Sequence, residues 1–239
     1  MHWSDRVLVL GCRALGESGL VLEAMTREHG RHLGLVHGGR GRRARPILQP
    51  GNTLAATWRA RLDEQLGTYS VEEDVSRAAR LIASPSALLG VATMASHLRL
   101  LAERDPHPAL FDAAEILLDH LDEPELGPAL FALFELSLLA EFGFGLDLSV
   151  CAATGTTEEL IYVSPKTGRA VSREPGAPYR DRLLPLPRFL REGLAAMPGA
   201  AERAEAFRLT GFFLAEHLYR PRNLPLPGER ERYVAAVSR

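Results

Sequence analysis

The sequence is poor in cysteine and lysine and contains no long apolar run. Its two cysteines, Cys12 and Cys151, lie far apart and form no disulfide framework, so we expect a reducing, cytoplasmic location. No apolar stretch reaches the roughly 18 residues that a membrane span needs, because Glu135 and Glu141 interrupt the longest candidate. A basic segment followed by an apolar one is also missing, which argues against a secretory signal.

Motifs for catalysis and metal binding are also scarce. There is no HExxH, GxSxG or GK[ST] pattern, and His29, His32 and His37 have no carboxylate or cysteine at metal-ligand spacing. The sequence 39–44 fits a loose dinucleotide pattern, but we expect strands rather than a helix after it. Thr154 stands where a zinc knuckle beginning at Cys151 would need a second cysteine. We therefore predict a protein that is not an enzyme and has no cofactor or metal.

Charge, by contrast, is abundant and unevenly distributed. The formal net charge is −2. Residues 1–80 hold 12 basic and 9 acidic side chains, whereas residues 81–150 hold 2 and 11. The strongest basic window is 27–61, with eight arginines and a single acid, Glu28. A basic block of this density in an acidic protein is typical of a polyanion-binding surface.

The centre of that window is the segment 37–45, which reads HGGRGRRAR. Arginine matches phosphate geometry, and glycine lets a ligand approach the backbone closely. Such a segment is either a solvated surface loop or a binding site for a polyanion, and its structural context decides between the two.

The first 75 residues favour strands. Short apolar or alternating runs occur at 5–12, 20–26, 32–37, 52–61 and 66–71, and the turn before Gly30 indicates a hairpin. Five short strands in a domain of this size predict an OB-fold barrel, a frequent nucleic-acid-binding fold. We place this domain at residues 1–77.

The remaining residues, 78–239, are predicted to form an α-helical bundle domain, so the fold class is α+β and multidomain. Apolar residues recur at helical spacing in 86–103, 109–121, 126–142, 187–197 and 202–219. Between about 146 and 186 the pattern is lost, which predicts a small irregular insert. The tail 220–239 mixes arginine with proline.

In the barrel, candidate nucleic-acid contacts are the basic side chains of the window and one aromatic. Arginines would bind phosphates, and Trp58 could stack on bases, with Tyr69 and Trp3 as further candidates. Trp58 could equally be a core residue. The predicted contact residues are Arg27, Arg31, Arg40, Arg42, Arg43, Arg45, Arg59, Arg61 and Trp58.

The order of several short segments over the whole length resembles the RecO family of bacterial recombination and DNA repair proteins. These segments are Ala14 to Ser18, Thr26 to Gly30, the basic segment, Leu48 to Gly51, Glu141 to Phe144 and Tyr162 to Ser172. The resemblance implies an OB-fold followed by a helical domain with a zinc-ribbon-like insert. Many members hold zinc there with four cysteines, of which this chain keeps only Cys151, so we expect no metal.

The resemblance also implies a function and partners. RecO-like proteins bind single- and double-stranded DNA and anneal complementary strands. Together with RecR they help load RecA onto DNA coated by single-strand-binding protein in the RecF pathway, and they contact the C-terminal tail of that coating protein. We therefore expect a cytoplasmic, nucleoid-associated recombination mediator that acts on no membrane. The alternatives are a general OB-fold RNA-binding protein and a protein adaptor that binds no DNA.

Overall fold

A computed structural model describes residues 1–62 and 65–238 of the chain. Contacts between Cα atoms divide it into two compact units, Met1–Asp122 and Glu123–Arg239. The domain boundary after residue 77 stays a prediction. Within the described ranges, no helix is both long and apolar enough to cross a membrane.

The first unit contains the five predicted strands, which close into a barrel in the order β1-β2-β3-β5-β4. β1 is longer at both ends than expected, and β3 and β5 pair in parallel. The strands are β1 (His2–Leu15), β2 (Gly19–Thr26), β3 (Gly30–Val36), β4 (Thr53–Arg59) and β5 (Thr68–Val75).

Alternating side chains of these strands fill the barrel. On β4, Leu54, Ala56 and Trp58 are buried in the core, whereas Ala55 and Arg59 are exposed. The period of two predicted for this strand is therefore confirmed, because successive side chains in a strand face opposite sides of the sheet.

Helices follow the barrel within the first unit. α3 starts one residue before the predicted position 86: Pro85 occupies its first turn, and the Ser84 hydroxyl accepts a hydrogen bond from the Ala87 amide. The helices are α1 (Ala44–Ile47), α2 (Ala78–Ile82), α3 (Pro85–Leu98) and α4 (Pro108–His120). The predicted helices at 86–103 and 109–121 are thus present, with α3 ending earlier than expected.

Asn52, just before β4, joins α1 to α2. Its buried side-chain amide donates to the carbonyl oxygens of Pro46 and Ile47, both at 3.1 Å. Its side-chain oxygen accepts from the backbone N–H groups of Arg77 and Ala78, both at 2.8 Å. One buried side chain therefore satisfies the end of α1 and the start of α2.

The second unit is mainly helical, as predicted, but its insert is more regular than expected. Residues 160–185 contain a three-stranded antiparallel sheet in the order β7-β6-β8. The α-helices and strands of the second unit are α5 (Leu126–Glu141), β6 (Leu160–Val163), β7 (Ala170–Ser172), α6 (Arg173–Gly176), β8 (Leu184–Pro185), α7 (Phe189–Glu192), α8 (Ala200–Phe213) and α9 (Gly228–Val237).

Two predicted helices of this unit are shorter than expected, and one further helix was not predicted. The helix predicted at 187–197 is only the single turn α7, because Gly193 adopts φ +73° and ends it. The helix predicted to 219 changes after Phe213 into a π-helical turn, Leu214–Tyr219. The tail, for which no helix was predicted, contains α9, whose Arg230 and Tyr233 are buried.

Candidate nucleic-acid interface

The basic segment leaves the barrel at the end of β3 and is held at both of its ends. The backbone N–H of Arg40 donates to the Ser18 carbonyl, and the Arg40 guanidinium donates to the carbonyls of Glu17 (2.9 Å) and Gly16 (3.4 Å). These bonds fasten the segment to the turn between β1 and β2. Arg40 therefore has a structural role that its sequence context did not indicate.

At its other end the segment enters α1, which packs on the barrel core. Ala44, Ile47 and Leu48 contact the buried cluster inside the barrel, while Arg45 points to solvent. Pro46 lies in this single helical turn, at a position whose backbone N–H would have no helical hydrogen-bond partner. The segment is thus an anchored connection rather than a free loop.

Arg59 and Arg61 lie at the same end of the barrel as the start of this segment. Arg59 pairs across the sheet with Thr68, and Thr68 pairs in turn with Leu35 near the end of β3. Two strand spacings amount to about 10 Å. The Leu35 amide also donates to the Gly67 carbonyl, at 3.0 Å.

A further arginine on this surface was missed in the sequence. Arg13 of β1 pairs with Val21, Val21 with Leu35, and Leu35 with Thr68, so Arg13 and Arg59 end one continuous row across five strands. The row is four strand spacings long, about 19 Å, and Arg13 lies next to the β1–β2 turn that binds Arg40 rather than next to Arg59. Paired residues of neighbouring strands face the same side of the sheet. The strand predicted at 5–12 stopped one residue short of Arg13, and residues 12–15, which are all exposed, carry no alternation that would have extended it.

We call the exposed arginines of this region the arginine face. Apart from Arg40, they have no hydrogen bond or ion pair from their side chains within residues 1–62 and 65–238, and none of the set pairs with a carboxylate there. Unpaired guanidinium groups concentrated on one surface create a positive potential that attracts anions. The arginine face consists of Arg13, Arg40, Arg42, Arg43, Arg45, Arg59 and Arg61.

Two predicted contact residues, Arg27 and Arg31, already pair with carboxylates of the barrel and its neighbouring helix. Arg27 binds both oxygens of Asp112 at 3.0 Å and also pairs with Glu28 at 2.7 Å. Its hydrogen bonds hold the pKa of Asp112 below the usual range. Arg31 is only 15% exposed and pairs with Glu23 at 2.8 Å. Their charges are already matched, so they add little free positive charge.

For Trp58, the structure favours the alternative of a core residue over that of a base-stacking one. It is 0% exposed, and its indole N–H donates to the Leu66 carbonyl at 3.0 Å. Gly67, with φ +64°, lies so close that an added Cβ would be 2.3 Å from the indole. Tyr69 is likewise only 2% exposed. Neither ring offers a face to a nucleobase.

The remaining candidate aromatic, Trp3, is also occupied. Its ring stacks on His29 at 4.3 Å and on Trp58 at 5.8 Å. His32 packs edge-on against both tryptophans, and its burial lowers its pKa. These histidines are packing residues, and the barrel would have to hold nucleic acid by charge rather than by stacking.

In the insert, Cys151 has hydrogen-bond donors around its sulfur. The Ser172 amide and hydroxyl donate to it at 3.2 and 3.3 Å. Burial raises the pKa of the thiol, but the bonds from Ser172 and Thr154 outweigh burial and bring the pKa to about 6. Among the residues that the structure describes, no group of three His, Cys, Asp or Glu side chains could hold a metal ion.

The fold and this surface define a class of protein: a two-unit chain whose N-terminal five-stranded barrel carries an arginine-rich face and whose C-terminal unit is mainly helical. The family model described as "Recombination protein O N terminal" matches residues 1–77, and "Recombination protein O C terminal" matches residues 86–224. The chain belongs to this family, the RecO family of DNA repair and recombination proteins.

Curated relatives agree over nearly the full length. The chain is similar to the DNA repair protein RecO of Methylorubrum extorquens strain PA1, with 60% identity covering 98% of both chains. It is 56% identical to that of Chelativorans sp. strain BNC1, covering 100% of this chain and 96% of the relative. It is 55% identical to that of Mesorhizobium japonicum, covering 99% and 94%.

Proposed function

We propose that this chain is a recombination mediator that binds single- and double-stranded DNA through the arginine face of an OB-fold barrel. The observation that carries the proposal is a group of exposed barrel arginines, none of which pairs with a carboxylate within residues 1–62 and 65–238. The turn after β1 and the connection after β4, which border this surface, are the loops with which OB-folds bind oligonucleotides. Their position supports binding there.

The proposed binding mode is electrostatic and independent of base sequence. Each arginine that neutralises a phosphate of a single strand releases condensed counterions and adds about 0.7 to the slope of log affinity against log salt. Burial of Trp58 and Tyr69 leaves no barrel aromatic to read or stack a base. Guanidinium groups contact the backbone, which carries no sequence information.

Strand annealing follows from the same property. Two complementary strands repel each other through their phosphates, and a dense arginine surface reduces that repulsion while holding one strand next to another. Base pairing between the strands supplies the rest of the free energy. No covalent bond forms or breaks, so we propose a protein that acts by binding and not as an enzyme.

We extend the proposal to the partners that the family resemblance implies. With RecR, the chain would help load RecA onto DNA coated by single-strand-binding protein, in the RecF pathway, and it would contact the C-terminal tail of the coating protein. The relatives support a repair role through their shared name, DNA repair protein RecO.

The test is a DNA-binding isotherm measured at several salt concentrations. The triple variant Arg42→Glu, Arg43→Glu, Arg45→Glu spares Arg40, which binds the turn after β1. We expect the salt slope for a labelled single strand to shrink by about 2. The matched control reverses three exposed arginines of the second unit, at positions 208, 220 and 232.

Each result distinguishes the proposal from its alternatives. A triple variant with normal affinity and annealing at moderate salt would exclude the arginine face as the DNA site. Tighter binding to RNA than to DNA of the same sequence would favour the RNA-binding alternative. Binding to the single-strand-binding-protein tail without any DNA affinity would favour the adaptor.

A further inference from the structure

The second unit contains another strongly basic stretch, which a count of charges over the whole unit conceals. Residues 166–191 include seven basic side chains and two acidic ones, Glu174 and Asp181. Over the whole unit, residues 123–239, 14 basic side chains are offset by 15 acidic ones, which hides this local excess. The stretch corresponds to most of the insert, from the turn before β7 to α7.

Three of these seven cations pair with carboxylates and Arg191 binds two carbonyl oxygens, whereas Arg180 and Arg182 lie close together in one turn with little pairing. Arg182 has no side-chain partner in the described part of the chain, and Arg180 meets only Asp181, at 3.7 Å with both groups more than 70% exposed. An exposed pair of this kind contributes little. The matched pairs are Arg169 with Asp147, Arg173 with Glu159 and Arg188 with Glu192.

Tyr179 stands beside these two arginines and is 58% exposed. Its ring has no stacking partner and its hydroxyl no hydrogen bond within residues 1–62 and 65–238. The other exposed aromatic, Phe144 at 40%, is stacked on His217. Tyr179 therefore offers an aromatic ring that is open to solvent and adjoins two exposed arginines, Arg180 and Arg182.

The local fold holds this tyrosine in place. Residues Ala177–Arg182 form a 3-10 turn in which every residue is exposed. Before the turn, buried Gly176 lies against the Tyr162 ring of β6, where an added Cβ would be 2.5 Å from the ring. After the turn, Leu184 pairs with Val163. Both ends of the turn are thus attached to the same small sheet.

We propose that the 3-10 turn Ala177–Arg182 is a second nucleic-acid site, specific for single strands. An unpaired base would stack on Tyr179, and the adjoining phosphates would contact Arg180 and Arg182. Base–aromatic stacking between cationic groups is a common way to bind single strands without sequence preference. A duplex does not present an unstacked base, so the site would discriminate against it.

This inference rests on the proposed function and deepens it. Annealing requires one molecule to hold two strands, and a second site gives the second strand a place of its own. The arginine face binds any phosphate backbone, whereas the turn at Tyr179 would select strands whose bases are still unpaired. The two sites therefore differ in the substrate that they accept.

The experiment uses the full chain with Tyr179→Ala, Tyr179→Phe and the double variant Arg180→Glu, Arg182→Glu. Binding is measured with labelled oligo(dT) and with a duplex of equal length. Bridging is measured as energy transfer between two differently labelled, non-complementary single strands. The double charge reversal at positions 208 and 220 is the control for net charge.

We expect Tyr179→Ala to lower single-strand bridging and the annealing rate about tenfold, as expected for loss of one stacked base. Tyr179→Phe should retain both, and duplex binding should be unchanged in all Tyr179 variants. The double charge variant should reduce the single-strand salt slope by about 1.4.

Parental bridging and annealing in Tyr179→Ala would overturn the inference, and so would an equal loss of duplex binding. An effect confined to binding of a partner protein would also overturn it. These outcomes are distinct from failure of the proposed function, which would appear as normal DNA binding by the Arg42, Arg43 and Arg45 triple variant.

Discussion

The buried ion pair between Glu135 and Arg230 supports a prediction about the stability of the second unit. Glu135 on α5 is 0% exposed, and the Arg230 side chain on α9 is 8% exposed. Two bonds join them, Nε to Oε1 at 2.7 Å and Nη2 to Oε2 at 2.9 Å. The Thr210 hydroxyl on α8 donates to the same carboxylate. Three helices therefore meet at one carboxylate.

The perturbation is Glu135→Gln, which keeps the side-chain shape and removes the charge. It leaves the Arg230 guanidinium buried without its anion, and removal of one partner from a buried pair costs about 3–5 kcal/mol. With a urea m-value of about 2 kcal/mol/M, the unfolding midpoint should fall by about 1.5–2.5 M. Replacing both residues, Glu135→Leu with Arg230→Met, should cost much less, because no charge is left buried.

Urea unfolding monitored by far-UV circular dichroism measures this difference. The two tryptophans, Trp3 and Trp58, both lie in the barrel, so their fluorescence reports on the first unit in the same samples. The salt slope of DNA binding should be unchanged in the folded variants. A loss of less than 1 kcal/mol for Glu135→Gln, or a double variant as unstable as the single one, would refute the reasoning.

Three further predictions concern the candidate sites. Arg59→Ala should reduce the single-strand salt slope by about 0.7, whereas Arg27→Ala should leave it unchanged because Asp112 already matches that charge; equal effects in the two isotherm series would contradict the pairing argument. Trp58→Phe should lower stability by about 1–3 kcal/mol while the folded protein binds DNA normally, and a well-folded variant with tenfold weaker binding would mean that the indole contacts DNA. Hydrogen bonds lower the pKa of Cys151 to about 6, below that of an unfolded thiol, so the stability contributed by the thiolate should be complete above about pH 9 and be lost as the pH falls towards 6. Between pH 6 and pH 9 the urea midpoint of the parental chain should therefore rise more than that of Cys151→Ala. Parallel pH profiles of the two proteins would count against a thiolate.

The strands and the long helices could be predicted from the sequence because their apolar patterns are local. The alternation around Trp58 and the helical spacing of 109–121 reflect which side faces a core, and both elements are present. The helix α9 could not be predicted from the sequence, because it has little apolar surface of its own. Its attachment depends on Arg230 and Tyr233 meeting residues far away in the chain.

The arginine-rich window was visible in the sequence, but the sequence could not sort its members. Arg27 looks like Arg42 when charges are counted along the chain. It differs because Asp112, 85 residues later, binds it with two hydrogen bonds. Tyr179 was overlooked because nothing in its neighbouring sequence distinguishes an exposed tyrosine from a buried one.

The sequence by itself determined the strand and helix periodicity, the basic window and, through the order of its motifs, the family. Only the tertiary structure decided which charges are free and which rings are buried. The physical reason is that burial and ion pairing depend on contacts between residues far apart in the chain, as for Arg27 bound to Asp112, 85 residues later, and Arg230 bound to Glu135, 95 residues earlier. Periodicity, in contrast, is imposed by the local geometry of strand and helix and is written into every short segment.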